Sequence, residues 1–272
     1  MPFAPISDRT ARNIWYEDTG GSGPVIVFSH GFLMDGTMFV DQVSMLKDKY
    51  RCITWDQRGH GQTATDRLSP FDFYDSANDL SDLLALLGIE RAVLAGMSQG
   101  GFLTLRCALT NPSVVRGLLL FDTEAGLMSK DAILANDGLL KAWLAGGWDA
   151  DELGLKIAEQ ILGPGLRTSR WTGTGGWVQK WAATQFVNLI PSFNALTTRD
   201  DITMVLKAIT APALVIHGEV DLSVPISAGQ QMAQGLANAQ FQPIAGAGHG
   251  ACLTHWEFVN PLVKTFLESL PA

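Results

Sequence analysis

The segment that most constrains this chain is Gly96-Met97-Ser98-Gln99-Gly100, because an apolar strand runs directly into it and an apolar-periodic helix runs directly out. The strand is Arg91-Ala92-Val93-Leu94-Ala95, and the helix places Phe102, Leu105 and Leu109 at i, i+3 and i+7 before Asn111-Pro112 ends it. So tight a strand-to-helix turn forces the central serine into a strained backbone conformation. Glycines two residues before and after it leave room for the close helix. The Ser98 hydroxyl is then exposed at the carboxyl edge of a sheet, and the Gln99 N–H, opening the helix, points at whatever the serine meets.

A serine hydroxyl is a weak nucleophile near neutral pH, so this reading needs a base and a group to orient that base. Candidates stand downstream. Pro212-Ala213-Leu214-Val215-Ile216-His217-Gly218 reads as a buried strand, followed by Asp221 in the loop before Pro225, which suits a helix start. Phe241-Gln242-Pro243-Ile244 reads as a last strand, and Gly246-Ala247-Gly248-His249-Gly250 as a flexible loop carrying one histidine to the sheet edge. The plainer roles are that Asp221 caps the helix at Pro225 and that His249 is a solvated loop residue.

Together these residues resemble the α/β-hydrolase family, in which nucleophile, acid and histidine follow in this order. The resemblance spans nearly the whole chain. Val25-Ile26-Val27-Phe28 leads into Ser29-His30-Gly31-Phe32, which is similar to the family's H-G-x oxyanion loop. The resemblance implies that the N–H of Phe32 joins that of Gln99 in holding an oxyanion. Asp56-Gln57-Arg58-Gly59-His60-Gly61-Gln62-Thr63, after the strand Arg51 to Trp55, is similar to a second family segment. It is read as structural, with Asp56 and Arg58 bracing loops and His30 buttressing the oxyanion loop. Some family members take the acid from the strand that here precedes Asp122 and Glu124, and Glu219 is also near. The spacing from Gly218 through Asp221 to Pro225 matches the commoner arrangement.

Strands and helices alternate to about residue 125 and again from about residue 203, which implies an α/β fold with a mostly parallel sheet and helices on both faces. Ala77, Leu80, Leu83, Leu84 and Leu87, closed by Gly88, mark one amphipathic helix, and Leu118 to Phe121 the next buried strand. Residues 126–202 read as short helices separated by Gly146-Gly147, Gly163-Pro164-Gly165 and Gly173 to Gly176. The resemblance makes residues 1–125 and 203–272 the hydrolase core and 126–202 an inserted helical cap. That segment holds Trp143, Trp148, Trp171, Trp177 and Trp181, five of the eight tryptophans. So small a helical unit has little core to hide them, so some either face the cleft beneath or glue the helices together. Trp143 and Trp181, with Met34 after the oxyanion loop, are the expected substrate-binding residues; Met38 and Phe39 are further candidates.

A chain of 272 residues buries about three quarters of its unfolded surface and needs no disulfide or metal to hold a core. Cys52, Cys107 and Cys252 lack C-x-x-C spacing and sit in apolar patterns, as reduced core thiols of a cytoplasmic protein do. No secretory signal and no apolar run of transmembrane length is present, and a net charge of -8 argues against nucleic acid and anionic membrane surfaces as partners.

The expected activity is cofactor-free and metal-free serine hydrolysis of a small-molecule carboxylic ester or lactone with an apolar acyl part, by a monomer or small homo-oligomer. The resemblance extends to bacterial carboxylesterases, N-acyl homoserine lactonases and enol-lactonases. Alternatives are a cofactor-free haloperoxidase or perhydrolase and a non-catalytic ligand receptor on the same fold.

Overall fold

The computed structural model describes residues 3–6, 12–63, 69–146, 150–164, 172–184 and 186–271. Its strands are β1 (Phe3–Ile6), β2 (Arg12–Asp18), β3 (Val25–Ser29), β4 (Arg51–Trp55), β5 (Ala92–Met97), β6 (Val115–Phe121), β7 (Ala213–Gly218) and β8 (Ala239–Ile244). They form one sheet in the order β1-β2-β4-β3-β5-β6-β7-β8. From β4 to β8 every pairing is parallel, while β1 with β2 and β2 with β4 are antiparallel. The central strands read as unbroken apolar runs because both of their faces are covered. The antiparallel edge was not legible: Arg12-Asn13-Ile14-Trp15-Tyr16-Glu17-Asp18 is too polar to stand out as a strand.

The helices are α1 (Val40–Leu46), α2 (Phe73–Leu86), α3 (Gln99–Thr110), α4 (Lys130–Gly146), α5 (Leu155–Leu162), α6 (Thr174–Ala183), α7 (Ile190–Thr198), α8 (Ile226–Gly235), α9 (Ala251–Thr254) and α10 (Trp256–Ser269). Successive strand residues alternate between the two faces of the sheet. Val27, Leu94, Leu118 and Leu120 accordingly pack with Leu80 and Leu83 of α2, Phe102 and Leu105 of α3 and Met232 of α8. Ile26, Val93, Leu119 and Leu214 pack with Leu46 of α1, Cys252 of α9 and Val263 and Phe266 of α10.

Helices α4 to α7 lie in the chain between β6 and β7, and Trp143, Ile157, Trp177, Trp181 and Phe193 from them join the second of these cores. All three cysteines are buried and free. Among the described residues no helix is long and apolar enough to cross a membrane.

Candidate active site

Ser98 lies between β5 and α3 with φ 49° and ψ -115°. This is left-handed territory that costs a non-glycine residue about 1–3 kcal/mol. The surroundings enforce it. The Ser98 N–H donates to the Phe121 carbonyl at 2.9 Å, and the Ser98 carbonyl accepts the Gly101 N–H at 2.8 Å and the Thr123 hydroxyl at 2.9 Å. A Cβ on Gly96 would overlap the backbone of Gly100, and one on Gly100 would overlap the Ser29 carbonyl. Both glycines are therefore required for α3 to start this close to the sheet. Gln99 is the first residue of α3, where an N–H has no intrahelical acceptor and the helix dipole favours negative charge.

His249 follows β8 and Asp221 follows β7, so both stand at the same sheet edge as Ser98. The His249 Nδ1 and Asp221 Oδ2 are 2.7 Å apart. Asp221 Oδ1 accepts the N–H groups of Ser223 at 2.8 Å and Val224 at 2.9 Å. The carboxylate thus organises its own turn with one oxygen and meets the histidine with the other. Burial opposes its charge, yet the His249 ring, the His217 and His249 hydrogen bonds and the Val224 N–H hold its carboxyl well below the usual range. Burial likewise lowers the basicity of His249, and the Asp221 carboxylate more than offsets it, leaving the ring above an ordinary histidine.

Ser98 and His249 line one cavity with Phe32, Met97, Phe102, Trp143 and Phe193. Apolar side chains make up most of its lining. The Phe32 loop is braced from both sides. His30 bonds through Nδ1 with the Gly31 carbonyl at 2.8 Å, and its Nε2 accepts the Gln57 N–H at 2.9 Å. His60 Nε2 accepts the Leu33 N–H at 3.3 Å, and burial followed by the nearby His30 lowers its pKa to about 3, so it stays neutral in that role. From α7, Ser192 donates to Gln99 Oε1 at 2.9 Å, and Gln99 Nε2 donates to Gln57 at 3.0 Å. Asp56 accepts the N–H groups of Gly36 and Gln62, both at 2.8 Å, and Arg58 pairs with buried Asp79 of α2.

Among the expected substrate contacts, only Trp143 lines this cavity. Met34 is a core residue, 2 % exposed, and Trp181 is 1 % exposed. Both border a separate depression with His60 and Lys180 that includes neither Ser98 nor His249. The Trp181 indole N–H donates to the Leu33 carbonyl at 2.7 Å, and its ring lies 6.4 Å from that of Trp177. These two indoles thus pack α6 onto the Phe32 loop, so the structure does not bring Met34 and Trp181 to the cavity that holds Ser98. Trp148 and Trp171 lie outside the described residues.

Among the described residues, none of the rival carboxylates hydrogen-bonds His249. Glu219 is exposed, and Glu124 pairs with Arg199 Nη2 at 2.5 Å. Asp122, at φ 47°, accepts the Gly218 N–H at 2.8 Å and the Ala251 N–H at 3.0 Å, tying together the loops that carry Asp221 and His249. Burial pushes its pKa up to about 7.

His217, near the end of β7, stands 3.2 Å from Asp221 Oδ2 through Nε2 and bonds the Val224 carbonyl with the same atom at 2.9 Å. Asp122, His217 and Asp221 bring potential metal-ligand atoms within 4.8 Å of one another. Each Asp122 oxygen already accepts a backbone N–H, as does Asp221 Oδ1. This is a hydrogen-bonded brace whose oxygens face donors of the protein itself.

The strained serine turn, the mostly parallel sheet and the helices between β6 and β7 define a class, and comparison with known proteins gives it a name. The chain belongs to the alpha/beta hydrolase family, whose model matches residues 26–262. It is similar to the non-heme haloperoxidase of Rhodococcus erythropolis, at 29 % identity over 99 % of this chain and all of that one. It is also similar to 3-oxoadipate enol-lactonase 1 of Acinetobacter baylyi, at 27 % identity over 97 % of each chain. Among solved structures, a thermophilic esterase from Thermogutta terrifontis, with malate bound, superposes with a TM-score of 0.86 at 25 % identity, over 98 % of this chain and 97 % of that one.

Proposed function

We propose that the protein is a serine hydrolase of carboxylic esters or lactones working through an acyl-enzyme. The carrying observation is the 2.7 Å contact of Asp221 with His249 Nδ1 at a cavity that Ser98 shares. With its Nδ1–H held by Asp221, His249 keeps Nε2 as an acceptor and takes the Ser98 proton as Oγ attacks the substrate carbonyl. The Phe32 and Gln99 N–H groups stabilise the resulting oxyanion, each such donor being worth about 10² to 10³ in turnover. The imidazolium protonates the leaving oxygen, and Ser98 remains acylated. Water then gives its proton to His249 Nε2 and attacks the ester carbonyl, the acid leaves, and the proton returns to Ser98.

The apolar wall at Phe102, Leu140, Trp143, Ile157 and Phe193 supports an apolar acyl part. A panel of p-nitrophenyl esters of rising chain length beside a set of lactones, each followed by acid release, tests this reading. Acid release abolished in Ser98→Ala is the expected result, and substantial turnover remaining in that variant would refute it. The haloperoxidase-named relative favours a second reading in which hydrogen peroxide instead of water attacks the same acyl-enzyme. Peracid formed in excess over acid when peroxide is added would mark it.

A further inference from the structure

The apolar cavity at Ser98 also has polar residues in its wall: Glu124, Asn136, Gln160, Arg199 and Ser223. Much of their donor capacity is taken up within the protein. Arg199 gives Nε to the Gly126 carbonyl at 2.9 Å, Nη1 to the Leu196 carbonyl at 2.8 Å and Nη2 to Glu124 Oε1 at 2.5 Å. Asn136 Nδ2 donates to the Ala132 carbonyl at 2.9 Å, Gln160 Nε2 to Asn136 Oδ1 at 2.8 Å and the Ser223 hydroxyl to the Gln160 carbonyl at 2.9 Å.

Acceptor capacity remains, since among the described residues no hydrogen bond reaches Glu124 Oε2 or Gln160 Oε1. The Arg199 guanidinium lies 4.3 Å from the Phe102 ring centre, and its side chain is 2 % exposed against 14 % for Glu124. Both line the cavity, and the carboxylate is the more accessible half of the ion pair.

A ligand that displaces water from a buried carboxylate oxygen and offers no donor leaves that oxygen unpaired, the situation by which sites reject analogues lacking a hydroxyl. The pair with Arg199 is neutral overall, so a cationic ligand gains little there, and an anionic one meets the free carboxylate oxygen. We propose that the substrate carries a neutral hydrogen-bond donor, a hydroxyl or amide N–H, away from its scissile carbonyl, received by Glu124 with Gln160 as a second acceptor. This rests on the hydrolase reading and names the chemistry of its substrate.

The test is equilibrium binding to Ser98→Ala protein, followed by indole fluorescence and by calorimetry. The ligands are methyl esters of ω-hydroxyhexanoic, ω-hydroxyoctanoic and ω-hydroxydecanoic acids, each beside the isostere with methyl in place of hydroxyl. The hydroxy ester of the fitting length binds about tenfold tighter than its isostere, as a hydrogen bond to a charged acceptor allows. In a background also carrying Glu124→Met and Arg199→Met, replaced together so that no buried charge is orphaned, the preference disappears. Equal binding, or preference for the methyl isostere at every length, overturns the proposal, and so does a preference that survives the paired replacement. The first comparison needs only the native pair, so it decides even if the triple variant does not fold. Turnover of the same esters by the parent is read separately: none, alongside a clear hydroxyl preference in binding, counts against the hydrolase reading and leaves the donor site standing.

Discussion

At the scale of single residues, the two oxygens of Asp221 divide the labour. Helix capping and histidine orientation are alternatives in the sequence, because one aspartate two residues before Ser-Val-Pro serves either; in the structure Oδ1 organises the turn before Pro225 without capping α8, and Oδ2 meets His249. In the proposed mechanism Asp221→Asn favours the wrong histidine tautomer and lowers kcat by about 10⁴. Glu219→Gln, on an exposed side chain, leaves kcat within about twofold, since surface changes away from special features act weakly. Steady-state kinetics of the two variants decides, and the reverse ranking would move the acid elsewhere. The same contact sets a pH dependence. Only neutral His249 accepts the serine proton, and the Asp221 charge outweighs burial to raise its pKa. The kcat/KM profile therefore rises with its midpoint above the ordinary histidine value of about 6.5 and then levels. A profile flat down to about pH 4.5 would argue against His249 as the base.

At the scale of elements, β5 and α3 were legible because the constraint is local: small residues at Gly96 and Gly100, apolar runs on both sides, and one serine between them. Gly100→Ala drives a Cβ into the Ser29 carbonyl of β3, a backbone atom that cannot give way without moving the sheet. It is expected to cost about 3 kcal/mol, at the upper end of typical overpacking, and thermal or urea unfolding will show it as a lowered midpoint. An unchanged midpoint would mean that α3 does not need this approach. Helices α4 to α7 were legible only as a helical stretch. Which of their tryptophans meets the cavity depends on how α4 and α6 are rotated against the Phe32 loop, a tertiary property no local pattern carries. Trp143 of α4 borders the cavity while Trp181 of α6 donates to Leu33. Lengthening an acyl chain is thus expected to raise kcat/KM by up to about 0.8 kcal/mol per buried CH₂ until the cavity is full. Trp143→Ala will flatten that dependence and leave acetate esters nearly untouched. Acetate and octanoate esters reacting alike in the parent enzyme would make Trp143 scaffold.

At the scale of the whole molecule, the chain brings four distant segments to one sheet edge: the loops after β3, β5, β7 and β8. Their order along the sequence was enough to propose Ser98, Asp221 and His249, since each follows a recognisable strand. What the sequence did not disclose are contacts across long separations. Asp122 joins Gly218 to Ala251, His217 stands at Asp221, and Arg199 meets Glu124 across 75 residues. Nothing near Arg199 in the chain predicts a cavity partner, and the polar β2 edge was invisible for the same lack of local signal.

The central claim, a nucleophilic Ser98 activated by His249, is tested most directly by covalent labelling of the intact protein with an alkyl fluorophosphonate and mass spectrometry. The account predicts one adduct per chain, located on the peptide carrying Gly96 to Gly100, formed at a rate that falls with the loss of ester turnover and absent from Ser98→Ala. An adduct on another residue, or full ester turnover by protein whose Ser98 is labelled, would contradict it.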